Sequence, residues 1–364
     1  PSKVVKSFNY LASSIATNFY RIKNEVSSSC FRELVSSSNQ QRAVFSAGYT
    51  TVHPHLKEYL KDNTTSDKFT VDEILRILSL SNFKFFISPL VNFNDVREIF
   101  THVRVNLKAF SGHYTSQIYD GIKSSSDFDS RVVASKIWEQ LKIKPLKNMY
   151  LWSILGREKD VKIDNSALGV EVGTRVVMTT ENPMCTLLMW FAQKMSKVID
   201  NSDYRHKTFN ISGEFNSNKT RVLIDESYNY DWKLEADWTY YDSNIDTNFL
   251  KVAGALICNG LPDNRLHRNI SYLIIKSIIT KYILLPPGVV IELNRAQPSG
   301  HPFGTLVNCY VNTIYWCIIG YKIYGSNYAD YMRIEVYGDD TFAYFKNHPN
   351  LGKIDQYVQE CGLK

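Results

Sequence analysis

The sequence predicts an α+β fold, with one small antiparallel sheet backed by helices. Three stretches predict it. "IEVYGDDTFAYF" (334–345) alternates apolar and polar residues on both sides of a Gly-Asp-Asp, the pattern of a hairpin. "DWKLEAD" (231–237) is a second β-like run far upstream of it. Between them, His301–Tyr321 carries no Lys, Arg, Asp or Glu, as a helix buried on most sides would.

The elements can be justified in chain order. The first 150 or so residues are the least patterned. Ser-rich pieces such as "SSSCFRELVSSSNQ" separate short amphipathic stretches, of which "TVDEILRILSL" (70–80) has clear helical spacing. From about residue 170 the texture changes. "GVEVGTRVVMTTENPM" (169–184) is β-rich, and "CTLLMWFAQKMSKVI" reads as an amphipathic helix. "NYDWKLEADWTYYDSNI" (229–245) is a strand running into a turn. "FLKVAGALICNGL" and "HRNISYLIIKSIITKYILL" both read as helices by period. A long helix follows "PSG" (298–300), then the hairpin, then a last helix in "PNLGKIDQYVQECGL".

Bulk properties exclude several classes. The 364 residues suffice for one or two domains with a sizeable core, and the formal net charge of +6 permits a nucleic-acid partner without requiring one. The six cysteines form no CxxC pair, and His53 and His55 have no nearby Cys or acid to complete a zinc site. They read as reduced, intracellular thiols. No secretory leader is expected, since the first residues lack a basic region followed by an apolar core. The uncharged stretch 301–321 is long enough to span a bilayer, but Thr305, Asn308, Asn312 and Thr313 would be costly in lipid, so no membrane is expected. The chain opens on Pro1 and stops at "QECGLK", as a fragment would.

Three segments carry chemistry. Gly338 before Asp339 is ordinary turn chemistry, yet two adjacent carboxylates repel unless a cation screens them. Asp237 closes the upstream β-like run, with Asp242 five positions on. A strand-end Asp beside a hairpin tip bearing two more would form the oxygen-rich cluster that Mg²⁺ prefers. On the helix after "PSG", Thr305, Asn308, Asn312 and Tyr315 fall on one face, a polar stripe suited to recognising a sugar hydroxyl.

In this order the segments resemble the palm of a viral RNA-dependent RNA polymerase. Asp237 and Asp242 match its first motif, Asp-x4-Asp. "PSG", with Asn308 nine positions after Ser299, matches the second, and "YGDD" (337–340) the third. The spacings agree, about 60 residues and then about 40. Within the picornavirus-like supergroup, "QPSGHPFGTLVNCYVN" is most similar to the polymerases of partitiviruses, whose genomes are double-stranded RNA. Upstream, "VGTRVVMTTENP" resembles the basic motif that grips the incoming triphosphate, with Arg175 the matching residue. Lys159 and Lys162 in "GREKDVKID" are candidate channel residues, although lone lysines are more often surface charges. Two stretches compete for the template-guiding glycine motif, "FSAGYTT" (45–51) and "FSGHYTS" (110–116).

The resemblance implies a right-hand polymerase with fingers and palm. Residues 1–150 would form an N-terminal region and fingers, and 151–230 fingers with the basic motif. Residues 231–260 would carry the first palm motif, 261–290 a fingers insertion, and 291–364 the remaining palm motifs, with the thumb absent. It implies Asp237, Asp339 and Asp340 as catalytic ligands of two Mg²⁺ ions, with Mn²⁺ as a substitute. Arg175, Asp242, Ser299, Gly300, Thr305 and Asn308 would bind the NTP, Asp242 and Asn308 by reading the ribose 2′-hydroxyl. RNA template, nascent RNA and NTPs would be the partners, with a viral capsid protein as a further candidate. The site of action would be the host cytoplasm, within a virion or a replication complex.

Two departures stand out. The family's Thr five positions after the Ser falls on Gly304 here, with the hydroxyl one residue later at Thr305. "CGLK" resembles the start of a fourth palm motif, which places the general-acid lysine beyond Lys364. Two other readings remain. A reverse transcriptase shares the palm, but usually has a bulky residue where Asp242 and Asn308 stand. A non-catalytic RNA-binding α+β domain leaves Asp237, the amide stripe and Arg175 without a joint explanation.

Overall fold

The computed structural model describes residues 42–45, 49–60, 69–81, 91–147, 151–157, 159–162, 175–200, 224–225, 227–239, 241–285 and 289–363. In chain order the elements are β1 (Arg42–Phe45), α1 (Tyr49–Leu60), α2 (Val71–Ser79), α3 (Glu98–Thr101), α4 (Thr115–Ile118), α5 (Asp127–Ile143), β2 (Leu151–Arg157), β3 (Lys159–Lys162), β4 (Arg175–Thr180) and α6 (Asn182–Asp200). Then come β5 (Trp232–Ala236), α7 (Tyr241–Asn244), α8 (Thr247–Cys258), α9 (Arg265–Ile279), β6 (Lys281–Leu285), β7 (Val289–Leu293), α10 (Gly304–Tyr324), α11 (Tyr328–Tyr331), β8 (Met332–Tyr337), β9 (Asp340–Phe345) and α12 (Leu351–Glu360). The fold is α+β, but among the described residues it has three small sheets where the sequence predicts one: β1-β3, β4-β2-β6-β7 and β5-β9-β8.

One expected helix is partly wrong. "HRNISYLIIKSIITKYILL" is helical only to Ile279, and Lys281–Leu285 is a strand. β6 pairs parallel with β2 and antiparallel with β7. A short apolar run bounded by Pro286-Pro287-Gly288 satisfies either period, and pairing with β2 and β7 decides it. Alternate burial along β6 is the two-faced signature of that choice.

α10 is the centre of the larger core. Nearly every residue from Leu306 to Gly320 is buried, which explains its apolar surface on all sides. It packs against α2, α8, α12 and β8. Among the described residues, no helix is long and apolar enough to cross a membrane. A smaller core, including Tyr59, Trp152, Met178 and Ile283, lies between α1 and the four-stranded sheet.

In the β5-β9-β8 sheet one face is dry and one open. Thr341, Ala343 and Phe345 of β9 and Met332, Ile334 and Val336 of β8 are buried, whereas Asp340, Phe342 and Tyr337 are exposed. Alternation at period two thus buries the helix-facing residues and leaves Glu235, Asp237 and Asp340 exposed.

Candidate active site

The β8–β9 hairpin turns on two residues, Gly338 and Asp339, because Tyr337 pairs with Asp340. Gly338 has φ +64, and a two-residue hairpin loop of the II′ kind places glycine at that first position. Asp340 is therefore the first residue of β9 and Asp339 sits on the tip.

β5 pairs antiparallel with β9, and Ala236 lies opposite Thr341. Asp237 directly follows Ala236, and Asp340 directly precedes Thr341, so the two meet at the same end of the sheet. Glu235, two residues before Asp237, shares its face of β5. Burial, then the charges of Asp339, Asp237 and Glu235, raises the pKa of the Asp340 carboxyl above its ordinary value. Asp339, Asp340, Asp237 and Glu235 thus share one electrostatic neighbourhood. Glu235 was not singled out in the sequence, although its i, i+2 spacing from Asp237 on a strand was the signal available.

The sequence pair Asp242 and Asn308 is in direct contact. Asn308 Nδ2 donates to Asp242 Oδ1 at 2.8 Å, across 66 residues of chain. Asp242 is buried on the short helix α7, and Tyr241 beside it donates its hydroxyl to the Asn308 carbonyl at 3.0 Å. The Asn308 Oδ1 is buried and accepts no hydrogen bond among the described residues. An acceptor of this kind costs free energy until a donor reaches it.

The segment before α10 is fastened on both sides. Gln297 N–H donates to the Asp242 carbonyl (2.8 Å), Ala296 N–H to the Ile245 carbonyl (2.9 Å), and Arg295 Nη2 to the Ser243 carbonyl (2.8 Å). On the other side, Met178 N–H of β4 donates to the Ser299 carbonyl at 2.8 Å. Gly300 has φ +107, and a Cβ there would lie 2.7 Å from the Met178 carbonyl oxygen. Thus Ser299 and Gly300 dock on the strand that begins with Arg175. Ala296, just before them, is buried with φ +62, a left-handed conformation unusual for alanine. Its carbonyl accepts from the fully buried Lys281 Nζ at 2.6 Å.

Other expected residues are less tightly joined. Arg175 pairs through its backbone with Arg157, but its side chain lies outside the described residues. Lys159 and Lys162 lie on β3 opposite Phe45 and Arg42 of β1, and their side chains also lie outside the described residues, as does Lys364. Thr305 is exposed on the first turn of α10, three residues before Asn308. Two members of the expected sugar-reading stripe turn inward. The Tyr315 ring stacks on Phe249 at 4.3 Å, and the Asn312 amide is wholly buried against the hairpin and Trp238.

One candidate template-guiding stretch leads into a helix that reaches β4, and the other touches the residue that follows β4. "FSAGYTT" joins the end of β1 to α1, with Ser46–Gly48 outside the described residues, and His55 of α1 accepts Val176 N–H at 3.0 Å. In "FSGHYTS", Tyr114 N–H, Thr115 N–H and Thr115 Oγ1 all donate to the buried Glu181 carboxylate, at 3.0, 3.0 and 2.7 Å. Glu181 directly follows β4, so proximity to β4 does not separate the two stretches.

The chemistry of the tip fits hard divalent cations. Its donors are carboxylate oxygens, and their mutual repulsion is what a cation would relieve. Among the described residues, no three His, Cys, Asp or Glu side chains are already gathered into a metal-holding group.

The profile of the family described as "Viral RNA-dependent RNA polymerase" matches residues 129–364. No individual curated protein matches the chain.

Proposed function

The chain belongs to the viral RNA-dependent RNA polymerase family, and from that premise we propose that Asp237, Asp339 and Asp340 form the carboxylate centre of its nucleotidyl transfer. The enzyme is an RNA-directed RNA polymerase, with RNA and ribonucleoside triphosphates as substrates. The observation that carries the site assignment is the β5–β9 register, which brings Asp237 to the Asp340 end of the sheet.

Asp237 and Asp339 would hold two Mg²⁺ ions, with Asp340 supporting, and Mn²⁺ could substitute. Such ions, when bound, lower the pKa of an attacking hydroxyl and neutralise charge on the leaving phosphates. The remaining work belongs to the protein. Asp242 and Asn308 select the ribose: Asp242 holds the amide nitrogen of Asn308, and Asn308 Oδ1, which has no partner among the described residues, would accept a hydrogen bond from the 2′-hydroxyl. A deoxyribonucleotide would leave that acceptor unpaired. Ser299 and Gly300 join the sugar-reading helix to β4, where Arg175 would stabilise triphosphate charge. Thr305 would add a hydroxyl near the sugar, and Lys159 and Lys162 would meet RNA phosphates.

The wider arrangement we propose is that of a right-hand polymerase, with an N-terminal region and fingers over residues 1–150, fingers over 151–230, a fingers insertion over 261–290 and palm over 231–260 and 291–364. Similarity around "QPSGHPFGTLVNCYVN" supports a partitivirus-like placement. That placement supports work in the host cytoplasm, in a virion or replication complex, with a capsid protein as a candidate partner. The test of the centre is extension of an RNA primer on an RNA template with Mg²⁺ and NTPs. Asp237→Ala and Asp339→Ala should each abolish it, and wild-type synthesis by either would refute the assignment.

A further inference from the structure

Asn312 is fully buried, one helical turn beyond Asn308 on α10. Its Nδ2 lies 3.1 Å from the Gly338 carbonyl, 3.1 Å from that of Asp339 and 3.4 Å from that of Asp340. Its Oδ1 accepts from Trp238 Nε1 and from Thr341 Oγ1, each at 3.0 Å. Trp316 Nε1 donates in turn to Thr341 Oγ1 at 3.2 Å. One turn earlier, Cys309 Sγ accepts the Gly338 N–H at 3.2 Å.

We propose that Asn312 is a positioning residue, which holds the Asp339-Asp340 turn in fixed relation to Asp237 and leaves ribose selection to Asn308. The inference rests on the assignment of those aspartates to the catalytic centre. Trp238 is the residue after Asp237, so a single amide touches both acidic segments, its donor end on the hairpin and its acceptor end on the strand terminus. Three successive carbonyls of the tip thus converge on one amide of α10. Gly338 is accordingly buried, Asp339 half-buried and Asp340 exposed. An apolar side chain of equal size could fill the space, but would leave the carbonyls, the indole N–H and the Thr341 hydroxyl competing for partners. Asn308 and Asn312 stand four residues apart, a rise of about 6 Å along the helix. α10 therefore sets the spacing between the sugar contact and the acidic tip.

The test compares Asn312→Ala, Thr341→Val and Asn308→Ala with wild type. Thr341→Val keeps a β-branched residue in the strand and removes only the hydroxyl link, which covers the case in which Asn312→Ala does not fold. Four quantities are measured on the full chain: kcat per titrated active site, NTP KM, NTP-over-dNTP preference, and Mn²⁺ affinity by electron paramagnetic resonance without turnover. We expect Asn312→Ala and Thr341→Val to lower kcat at least tenfold and weaken Mn²⁺ binding at least fivefold. NTP KM and ribose preference should stay within twofold of wild type. Asn308→Ala should differ in two readouts whatever its kcat, with ribose preference reduced and Mn²⁺ binding retained. Unchanged kcat and Mn²⁺ affinity in both clamp variants would overturn the proposal, even if their melting temperatures fell. A parallel fall in ribose preference would also overturn it and return Asn312 to the sugar site. Asp237→Ala is the companion control. If it abolishes synthesis and Mn²⁺ binding while the clamp variants behave as wild type, only the role of Asn312 is lost. If Asp237→Ala is itself active, the catalytic assignment and this inference fail together.

Discussion

Replacing Gly300 by alanine should detach the loop before α10 from β4. Two costs can be read from the structure. Holding a non-glycine residue at φ +107 costs on the order of 1–3 kcal/mol. The added Cβ would also stand 2.7 Å from the Met178 carbonyl oxygen and 2.8 Å from Val177 Cγ1, and the first of these belongs to strand backbone that cannot swing aside. Relief requires the loop to lift, which breaks the 2.8 Å bond from Met178 N–H to the Ser299 carbonyl, worth about 0.5–1.5 kcal/mol net. The sum is a loss of roughly 2–4 kcal/mol in unfolding free energy, read by urea denaturation. Single-nucleotide incorporation should fall with it, because Ser299 no longer registers α10 against the Arg175 strand. Gly304→Ala is the control, since a Cβ there meets nothing closer than 4.0 Å. It should change stability by less than about 1 kcal/mol. A Gly300→Ala protein within about 0.5 kcal/mol of wild type, with normal incorporation, would refute the reasoning.

Two further predictions follow from the same geometry. Asn308→Ala and Asp242→Ala should each reduce NTP-over-dNTP preference by roughly 10- to 100-fold, the scale of one discriminating hydrogen bond; competition between ATP and dATP in primer extension measures it, and an intact preference would remove both residues from ribose selection. Burial raises the Glu335 carboxyl to about 7 despite the opposing pull of Arg333, at 3.5 Å. The native state then holds this proton more tightly than the unfolded chain, so Glu335 should lower stability as pH rises from about 4.5 to about 7, by at most roughly 3 kcal/mol. Glu335→Gln should flatten that slope in denaturation curves between pH 5 and 8, and an unaltered slope would count against the burial of the charge.

Much of this was legible in the sequence, and the illegible part has physical causes. The hairpin, the β-like run ending at Asp237 and the long uncharged helix each declare themselves through period, and their order was enough to match the polymerase motifs. The hydrogen bond between Asp242 and Asn308 has no local sign in the sequence, because 66 residues separate them. Asn312 and Tyr315 were misplaced because helical spacing shows which residues share a stripe, not whether the stripe faces a ligand or the core. β6 and β7 were missed because strands of five residues are too short for their period to declare itself, and the pairing of β6 with β2 is non-local. Glu235 went unnoticed because an exposed strand glutamate is ordinary until its register with Asp340 is known. The six-residue strand opened by Arg175 was readable as β, whereas its docking on Ser299 depends on a φ that Gly300 permits and no residue type announces.

The central claim is that strand end and hairpin tip form one metal centre. Its most direct measurement is anomalous scattering from crystals of the protein soaked with Mn²⁺ and a non-hydrolysable NTP. The account predicts Mn²⁺ peaks shared by the carboxylates of Asp237 and Asp339, at ligand distances of about 2.0–2.6 Å, with any second ion about 3.5–4 Å away. Peaks held by neither residue, or carboxylates more than about 8 Å apart in the metal-soaked crystal, too far to share a metal pair, would contradict it.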